Sequence, residues 1–199
     1  MQKSVQTPPS RTRRLQRDKD FTGGRLSSFR EVFLRHGLPG LSLAVLCFAV
    51  PGLPTAFLEG LARGLANPAL YGGGFVLVFL ALAGYACLID GRWSFARLGW
   101  VVYLGALSFW EEWVFRLALP HMLEGAGISV WLAAGLSALV FGGAHYFTLR
   151  WKLQWCVGAV IGSLLLSRQM QVHEDLLLIS AFHWIATLLN TPRPPGQNG

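Results

Sequence analysis

Charged residues are scarce in this chain of 199 residues, and their absence from two long stretches is its most informative feature. Asp, Glu, Lys and Arg make up 14% of the chain, against about 25% in an ordinary soluble domain. None of them occurs from residue 64 to 89 or from residue 125 to 149. Each stretch exceeds the roughly 20 residues that span a bilayer core. The runs therefore exclude an ordinary soluble domain and indicate an integral membrane protein.

Cysteine is also scarce. The three cysteines, Cys47, Cys87 and Cys156, fall inside apolar stretches without metal-ligand spacing, so we interpret them as small apolar residues.

The chain also lacks an internal repeat. Membrane transporters are commonly built from repeated halves with broken helices. The absence of a repeat therefore makes a proton-coupled transporter the least favoured function for this chain.

Acidic residues are outnumbered, and most of the excess basic charge lies at the amino terminus. The net charge is +7, and nine of the 17 Lys and Arg residues precede residue 36. Ahead of a first membrane helix, such a segment fixes orientation and contacts anionic lipid. We therefore predict that residues 1–37 form a mobile cytoplasmic tail whose partner is membrane lipid, with no nucleic acid partner. Within it, residues 29–36 are interpreted as a short amphipathic helix on the membrane surface.

Six apolar segments separated by Pro, Gly and charged residues predict an all-α membrane protein, a bundle of about six transmembrane helices. The predicted spans are residues 39–58, 68–89, 98–119, 128–149, 152–168 and 175–191. Residues 38–97 then hold two additional helices, residues 98–191 a four-helix catalytic core, and residues 192–199 a short tail. With the amino terminus in the cytoplasm, fourteen basic residues lie on the cytoplasmic side and two on the other, as the positive-inside rule requires. Gly158 and Gly162 form a GxxxG step that predicts close helix packing inside the bundle.

Three ionisable residues occur within the third predicted span. They are Glu111, Glu112 and Arg116. Charges at membrane depth are costly and usually face a polar cavity or one another. Glu112 and Arg116 stand at i,i+4 and predict an ion pair. Glu111 points about 100° away around the helix and has no partner in its own segment, so it suits a group that takes a proton from water and returns it.

Two histidines also occur at membrane depth. His145 shares a helix face with Phe141 at i,i+4, and His183 shares one with Thr187 and Asn190. Two carboxylates, two histidines and one arginine converging from three helices would position and activate a water molecule. The remaining histidines fall near span ends, where interfacial histidine is ordinary. They are His36, His121 and His173.

The order and spacing of these motifs resemble a known family. Glu111-Glu112-x-x-x-Arg116, then Phe141-x-x-x-His145, then a histidine in a late helix are similar to the motifs of the CPBP (CAAX protease and bacteriocin-processing, or Abi) family. Its members include the type II CAAX prenyl endopeptidases. The resemblance covers residues 98–191. It implies an intramembrane endopeptidase, in the bacterial plasma membrane, that hydrolyses a peptide bond of a membrane-associated, lipidated or tail-anchored substrate.

The resemblance also implies a catalytic role for each motif residue. Glu111 would activate water, and Glu112 with Arg116 would complete the first motif, with Arg116 orienting the carboxylates. His145 would hold the water or a metal ion, and His183 would help to stabilise the oxyanion. The family's favoured mechanism is metal-free, while two histidines and a glutamate also suit zinc, with His145, His183 and Glu111 as ligands.

One position departs from the family pattern. The last motif usually reads HxxxN or HxxxD, but Thr187 stands four residues after His183, and Asn190 follows three residues later. Thr187, Asn190 and Phe141 are therefore candidate oxyanion or substrate contacts. The alternative function is a non-catalytic scaffold or immunity-type protein that binds a partner helix or lipidated tail in the same cavity. The substrate and the oligomeric state stay open at this stage.

Overall fold

The structure, a computed structural model, describes residues 15–19, 23–91 and 93–196. The rest of the predicted basic tail, the end of the predicted carboxyl-terminal tail and Arg92 lie outside the described residues. The regular elements of the described residues are all helical, and the extended backbone among them amounts to isolated bridging residues. The predicted all-α class is confirmed.

Seven continuous helices occupy the described residues. They are α1 (residues 29–47), α2 (Leu53–Ala66), α3 (Pro68–Asp90), α4 (residues 95–125), α5 (Val130–Thr148), α6 (Leu153–His173) and α7 (Leu176–Asn190). Helices α1 and α4 each contain a π-helical segment, Phe33–Gly37 in α1 and Trp113–Ala118 in α4. The helix predicted over residues 29–36 is confirmed: these residues form the first turns of α1, where Ser28 and Glu31 form a capping box.

A proline follows each π-helical segment by two residues, and it explains why the helix widens there. Pro39 and Pro120 lack an N–H, and a proline ring crowds the carbonyl four residues earlier. The residue before each proline instead bonds five residues back, Leu38 to Phe33 and Leu119 to Val114. Such π-type turns insert one extra residue and recur at functional sites.

The wider turn in α4 leaves a backbone acceptor that a neighbouring helix satisfies. Leu119 bonds to Val114, and Pro120 cannot donate, so the carbonyl of Phe115 needs another donor. The hydroxyl of Ser137 in α5 donates to it at 2.6 Å. This buried bond joins α5 to the π-helical turn of α4.

The first predicted span, residues 39–58, is wrong because the chain breaks within it. Helix α1 ends at Cys47, and α2 begins at Leu53. Between them Pro51 cannot continue the helical hydrogen bonds, and Gly52 adopts a φ of 86°, a conformation that glycine adopts without a steric penalty. Two helices therefore take the place of one.

Length and apolarity distinguish two of the helices. The segments Pro68–Ile89 of α3 and Val130–Thr148 of α5 are long and apolar enough to cross a membrane. Helix α6 has 21 residues, which corresponds to about 31 Å at 1.5 Å per residue. The predicted end of the fifth span at residue 168 is therefore wrong, because the helix continues to His173. Helix α7, with 15 residues, corresponds to the predicted sixth span, residues 175–191.

The apolar core forms two clusters that succeed one another along α4. The first surrounds Trp100, Leu104 and Trp184, and the indole of Trp184 donates to the carbonyl of Val101 at 2.8 Å. The second surrounds Trp113, whose indole donates to the carbonyl of Ala44 at 3.0 Å. Buried tryptophans with a satisfied N–H anchor helices firmly. The sequence between the clusters contains Glu111 and Glu112.

Helices α5 and α6 approach each other closely at Gly142, a residue outside the GxxxG step. A Cβ on Gly142 would lie 2.9 Å from the carbonyl oxygen of Cys156 and would overlap the Val160 side chain. At Gly158 and Gly162 an added Cβ would meet no heavy atom of the described chain within 4 Å. The prediction that this GxxxG step packs against another helix is therefore wrong.

Gly142→Ala should lower stability, whereas Gly143→Ala should not. The first variant forces a methyl group against the backbone of α6, and overpacking of this kind costs about 1–3 kcal/mol. At Gly143 an added Cβ meets nothing within 4 Å, and alanine favours a helix over glycine by about 0.5–1 kcal/mol. Thermal unfolding of the two variants in one detergent checks this. Equal melting temperatures would contradict the close approach of α5 and α6.

Candidate active site

The candidate site begins on α4, where its α-helical part meets the π-helical turn. Glu111 and Glu112 end the α-helical part, and Arg116 lies in the turn that follows. All three side chains are buried. A buried charge is costly unless another group compensates it. The compensating groups come from α4 itself, from α1 and from α7.

Glu112 is held from two sides. Nη2 of Arg116 lies 3.1 Å from Oε1 of Glu112, at the i,i+4 spacing that predicted an ion pair. Nδ1 of His183 lies 2.6 Å from the same oxygen. The Arg116 guanidinium also lies over the Phe141 ring, 4.3 Å from its centroid, in a cation–π arrangement. These contacts join α4, α5 and α7 around one buried charge pair.

Glu111 faces histidines from two other helices. Nε2 of His36 in α1 lies 2.9 Å from Oε1 of Glu111. Nε2 of His183 lies 3.8 Å from Oε2 of Glu111. His183 therefore lies between the two glutamates, with one ring nitrogen near each. Glu111 has no partner within α4, as expected, but the bundle supplies partners from α1 and α7.

His145 is oriented by its own helix. Its Nδ1 donates a hydrogen bond to the carbonyl of Phe141 at 2.8 Å. In a neutral imidazole with Nδ1 protonated, Nε2 is the acceptor. The His145 ring lies 5.1 Å from the His36 ring and 4.6 Å from the Trp151 ring, centroid to centroid. His145 thus presents a lone pair beside His36 and is braced on the other side by Trp151.

A cavity of about 280 Å³ joins these side chains. Its polar lining includes Glu111, Arg116, His36, His145 and His183. Leucine, tryptophan and small residues supply most of the remaining wall, including both glycines of the GxxxG step. An apolar pocket with a few convergent polar groups is the usual form of a ligand-binding or active site. Of the predicted catalytic residues, Glu112 alone is not in the lining, because it lies fully buried behind it.

Residues of the amino-terminal segment line part of this cavity. Gln16 forms an antiparallel bridge with Trp151, and Lys152 N–H donates to the carbonyl of Leu15 at 2.8 Å. Arg17 donates through Nη1 to the carbonyl of Tyr146 at 2.8 Å. Leu15 is 1% exposed and lines the cavity. These contacts attach residues 15–17, part of the predicted tail, to the end of α5 and to the loop between α5 and α6.

The three predicted oxyanion or substrate contacts also reach the cavity. Phe141, Thr187 and Asn190 all line it. Thr187 follows His183 by one helical turn, whereas Asn190 lies about 10 Å from His183 along the helix axis. The amide nitrogen of Asn190 donates to the carbonyl of Ala186 at 2.9 Å. Thr187 is therefore the better placed of these two side chains to act beside His183.

The interpretation of His36 as an ordinary interfacial histidine is wrong. Its side chain is 6% exposed and contacts Glu111. This contact was not predicted, because His36 lies outside the predicted spans and motifs. Pro39 is the available signal, since a proline inside an apolar helix predicts a widened or kinked turn just before it. His36 lies in that turn, as Arg116 lies in the turn before Pro120.

Three of the residues that meet here could hold a metal ion. Ligand atoms of His36, Glu111 and His145 all lie within 4.8 Å of one another. Nδ1 of His36 lies 2.7 Å from the Thr148 hydroxyl, and Nδ1 of His145 bonds to a carbonyl. Outer contacts of this kind are typical of metal-binding histidines. This set differs from the predicted one, because His36 takes the place of His183.

Fold and site together define a class of protein. The chain is a helical membrane protein whose bundle encloses a cavity lined by glutamate, histidine and arginine from α1, α4, α5 and α7. Residues 91–189 match the family model described as type II CAAX prenyl endopeptidase Rce1-like, and this part of the chain belongs to that protease family. The match confirms the resemblance inferred from the motifs. Searches of curated proteins and of solved structures find no match.

Proposed function

We propose that the protein is an intramembrane endopeptidase of the CAAX type, which hydrolyses a peptide bond of a membrane-associated substrate. The observation that carries the proposal is the convergence of Glu111, His145 and His183 on one cavity. Membership of a protease family supports the reaction class. The apolar wall and the long apolar helices support a lipidated or membrane-anchored substrate.

The geometry suits a water molecule activated by Glu111. The carboxylate would take a proton from water while the water oxygen forms a bond to the scissile carbonyl carbon. That proton would then pass to the amine nitrogen as the carbon–nitrogen bond breaks. Nε2 of His145, an acceptor in the neutral tautomer, would hold the water. Thr187 would donate to the oxyanion, and His183 would do so through Nε2 when both of its ring nitrogens carry a proton, because Nδ1 faces Glu112. Donors of this kind commonly contribute more than a hundredfold in rate.

Glu112 and Arg116 would act indirectly in this scheme. Glu112 touches His183 at 2.6 Å and Arg116 at 3.1 Å. A carboxylate beside Nδ1 sets the orientation of an imidazole, as in other hydrolases that use histidine. The pair would therefore keep the opposite nitrogen of His183 directed at Glu111 and the cavity.

The membrane arrangement is part of the proposal. We propose that the family core, α4 to α7, forms the catalytic bundle. Helices α1 to α3 pack around this core, and the chain crosses the membrane about six times. The exposed apolar side chains on α3, α5 and α6 support contact with lipid. The excess of basic residues in the tail and in the loop at 150–152 supports a cytoplasmic amino terminus.

A cleavage assay with defined peptides tests the proposal. A CAAX sequence carries a prenylated cysteine followed by three residues. Purified protein in lipid vesicles should release the last three residues from a farnesylated peptide of this type. The same peptide without the farnesyl group is the matched control and should be cleaved more slowly, because it does not enter the bilayer. Absence of product from both peptides, with protein that melts cooperatively, would contradict CAAX-type activity.

A metal-assisted form of the same reaction has a specific observation in its favour. His36, Glu111 and His145 offer two imidazoles and a carboxylate, a ligand set found in catalytic zinc sites with one open position. Zinc held there would supply an acidified water for the attack. The residues fit the ion, and His183 would stay outside the ligand set, near Glu112.

We expect the metal-free form, and chelation distinguishes the two. Protein treated exhaustively with a chelator should keep its cleavage rate, and elemental analysis should find less than stoichiometric zinc. His36→Ala and His145→Ala provide the matched test, since each removes one ligand of the possible site. Activity that is lost on chelation and restored by zinc, with zinc content reduced in both variants, would contradict the metal-free mechanism.

A further inference from the structure

We propose that His36 is a positioning residue that holds the Glu111 carboxylate in its working orientation, an inference that rests on the proposed function. His36 lies outside residues 91–189, the part of the chain that matches the family. Its Nε2 nevertheless lies 2.9 Å from Oε1 of Glu111, and both side chains are buried. The site therefore extends beyond the family core to a helix near the amino terminus.

The His36 ring is held in one orientation by the end of α5. Its Nδ1 lies 2.7 Å from Oγ1 of Thr148. The Thr148 hydroxyl donates its hydrogen to the carbonyl of Ala144 at 2.6 Å, so Oγ1 is the acceptor for Nδ1–H of His36. This bond directs the opposite nitrogen, Nε2, at Glu111, and Nε2–H donates to Oε1 of Glu111 when both ring nitrogens of His36 carry a proton. The chain of contacts thus runs from the α5 backbone through Thr148 and His36 to Glu111.

The contact with His36 determines which oxygen of Glu111 serves the cavity. Oε1 faces His36, while Oε2 is the oxygen nearer His183, with 3.8 Å to its Nε2. Losing His36 would free the carboxylate to rotate about its last bond. A displacement of about 1 Å in a reacting group can cost a hundredfold in rate. Fixing the orientation is therefore a substantial contribution from a residue that need not touch the substrate.

Neighbouring contacts separate this role from simple docking of α1. Arg35 precedes His36 and donates through Nη2 to the carbonyl of Phe147 at 3.1 Å, at the end of α5. This contact attaches α1 to α5 without reaching Glu111. Arg35→Ala therefore removes a docking contact of the same two helices and leaves the His36–Glu111 contact in place. It is the matched control for every His36 variant.

Kinetics of four variants test the proposal, with the farnesylated peptide as substrate. His36→Ala should lower kcat by about 10- to 100-fold with KM nearly unchanged, and Arg35→Ala should stay within about threefold of the parent. His36→Gln places an amide near the position of Nε2 and should recover part of the loss. His36→Asn reaches only towards Thr148 and should resemble His36→Ala. Equal rates for the glutamine and asparagine variants, or equal losses for His36→Ala and Arg35→Ala, would overturn the proposal.

Thermal unfolding provides a readout that does not depend on activity. His36→Ala, Glu111→Gln and the double variant should shift the melting temperature non-additively, because the two side chains touch. Additive shifts would overturn the contact. If Glu111→Gln keeps full activity while the shifts are non-additive, the proposed function fails and the positioning role fails with it. If Glu111→Gln is inactive and His36→Ala is fully active, the positioning role alone fails.

Discussion

Glu111→Gln should lower the rate of peptide cleavage by a hundredfold or more. Glutamine preserves the shape of the side chain but removes the basic oxygen that would accept a proton from water. Losing a general base typically costs about 10²- to 10⁴-fold. The substitution touches the cavity lining and leaves the neighbouring Glu112–Arg116 pair intact. The loss should therefore appear in kcat with a folded protein.

The control for this variant is Glu124→Gln. Glu124 is exposed in the last turn of α4, so the same chemical change occurs on the same helix outside the cavity. Its cleavage rate and melting temperature should match those of the parent. Full activity of Glu111→Gln on the farnesylated peptide would contradict the endopeptidase mechanism and favour a scaffold that binds lipidated tails in the cavity.

Local spacing was sufficient to predict the contacts within α4. Glu112 and Arg116 are four residues apart, and helix geometry alone brings such residues together. The convergence of His145 and His183 on Glu111 was different in kind. It followed from the order of the family motifs, because no periodicity within one helix states which face meets another helix. The structure places all three side chains on one cavity.

His36 shows what spacing could not predict. It lies 75 positions before Glu111 in the chain, and their contact depends on how α1 docks against α4 and α5. The GxxxG step is the opposite case. Gly158 and Gly162 match a helix-packing pattern, but an added Cβ at either position would meet no heavy atom of the described chain within 4 Å. In both cases the deciding fact is a tertiary neighbour. Spacing within a single sequence does not indicate which helices become tertiary neighbours.

The break in the first predicted span was predictable from its proline and glycine, but the hydropathy of the segment favoured one continuous helix. Pro51 and Gly52 interrupt the first predicted span, although the residues around them are apolar enough to suggest one helix. Pro39 and Pro120 widen α1 and α4 without ending them. The same residue type thus breaks one helix and only deforms two others. Gly52 after Pro51 adopts a φ of 86°, whereas Gly40 after Pro39 stays within the helix.

Arg116→Ala should produce the largest loss of stability in the bundle. The guanidinium compensates Glu112, whose side chain is fully buried, and it packs over the Phe141 ring. Removing it leaves a buried carboxylate with His183 as its remaining close partner. Breaking a buried pair from one side costs about 3–5 kcal/mol. For a chain of this size that corresponds to a fall of about 10 °C in melting temperature, with reduced folded yield.

Two comparison variants identify the cause of this loss. Arg168→Ala removes an exposed arginine from α6, and it should leave the melting temperature within about 2 °C, since surface substitutions usually change stability by less than 0.5 kcal/mol. The double variant Glu112→Gln, Arg116→Gln removes both charges and should be more stable than Arg116→Ala, because no uncompensated charge remains. If the double variant is instead less stable than Arg116→Ala, burial of an unpaired Glu112 is not the cause. Packing of the guanidinium against Phe141 would then account for the role of Arg116.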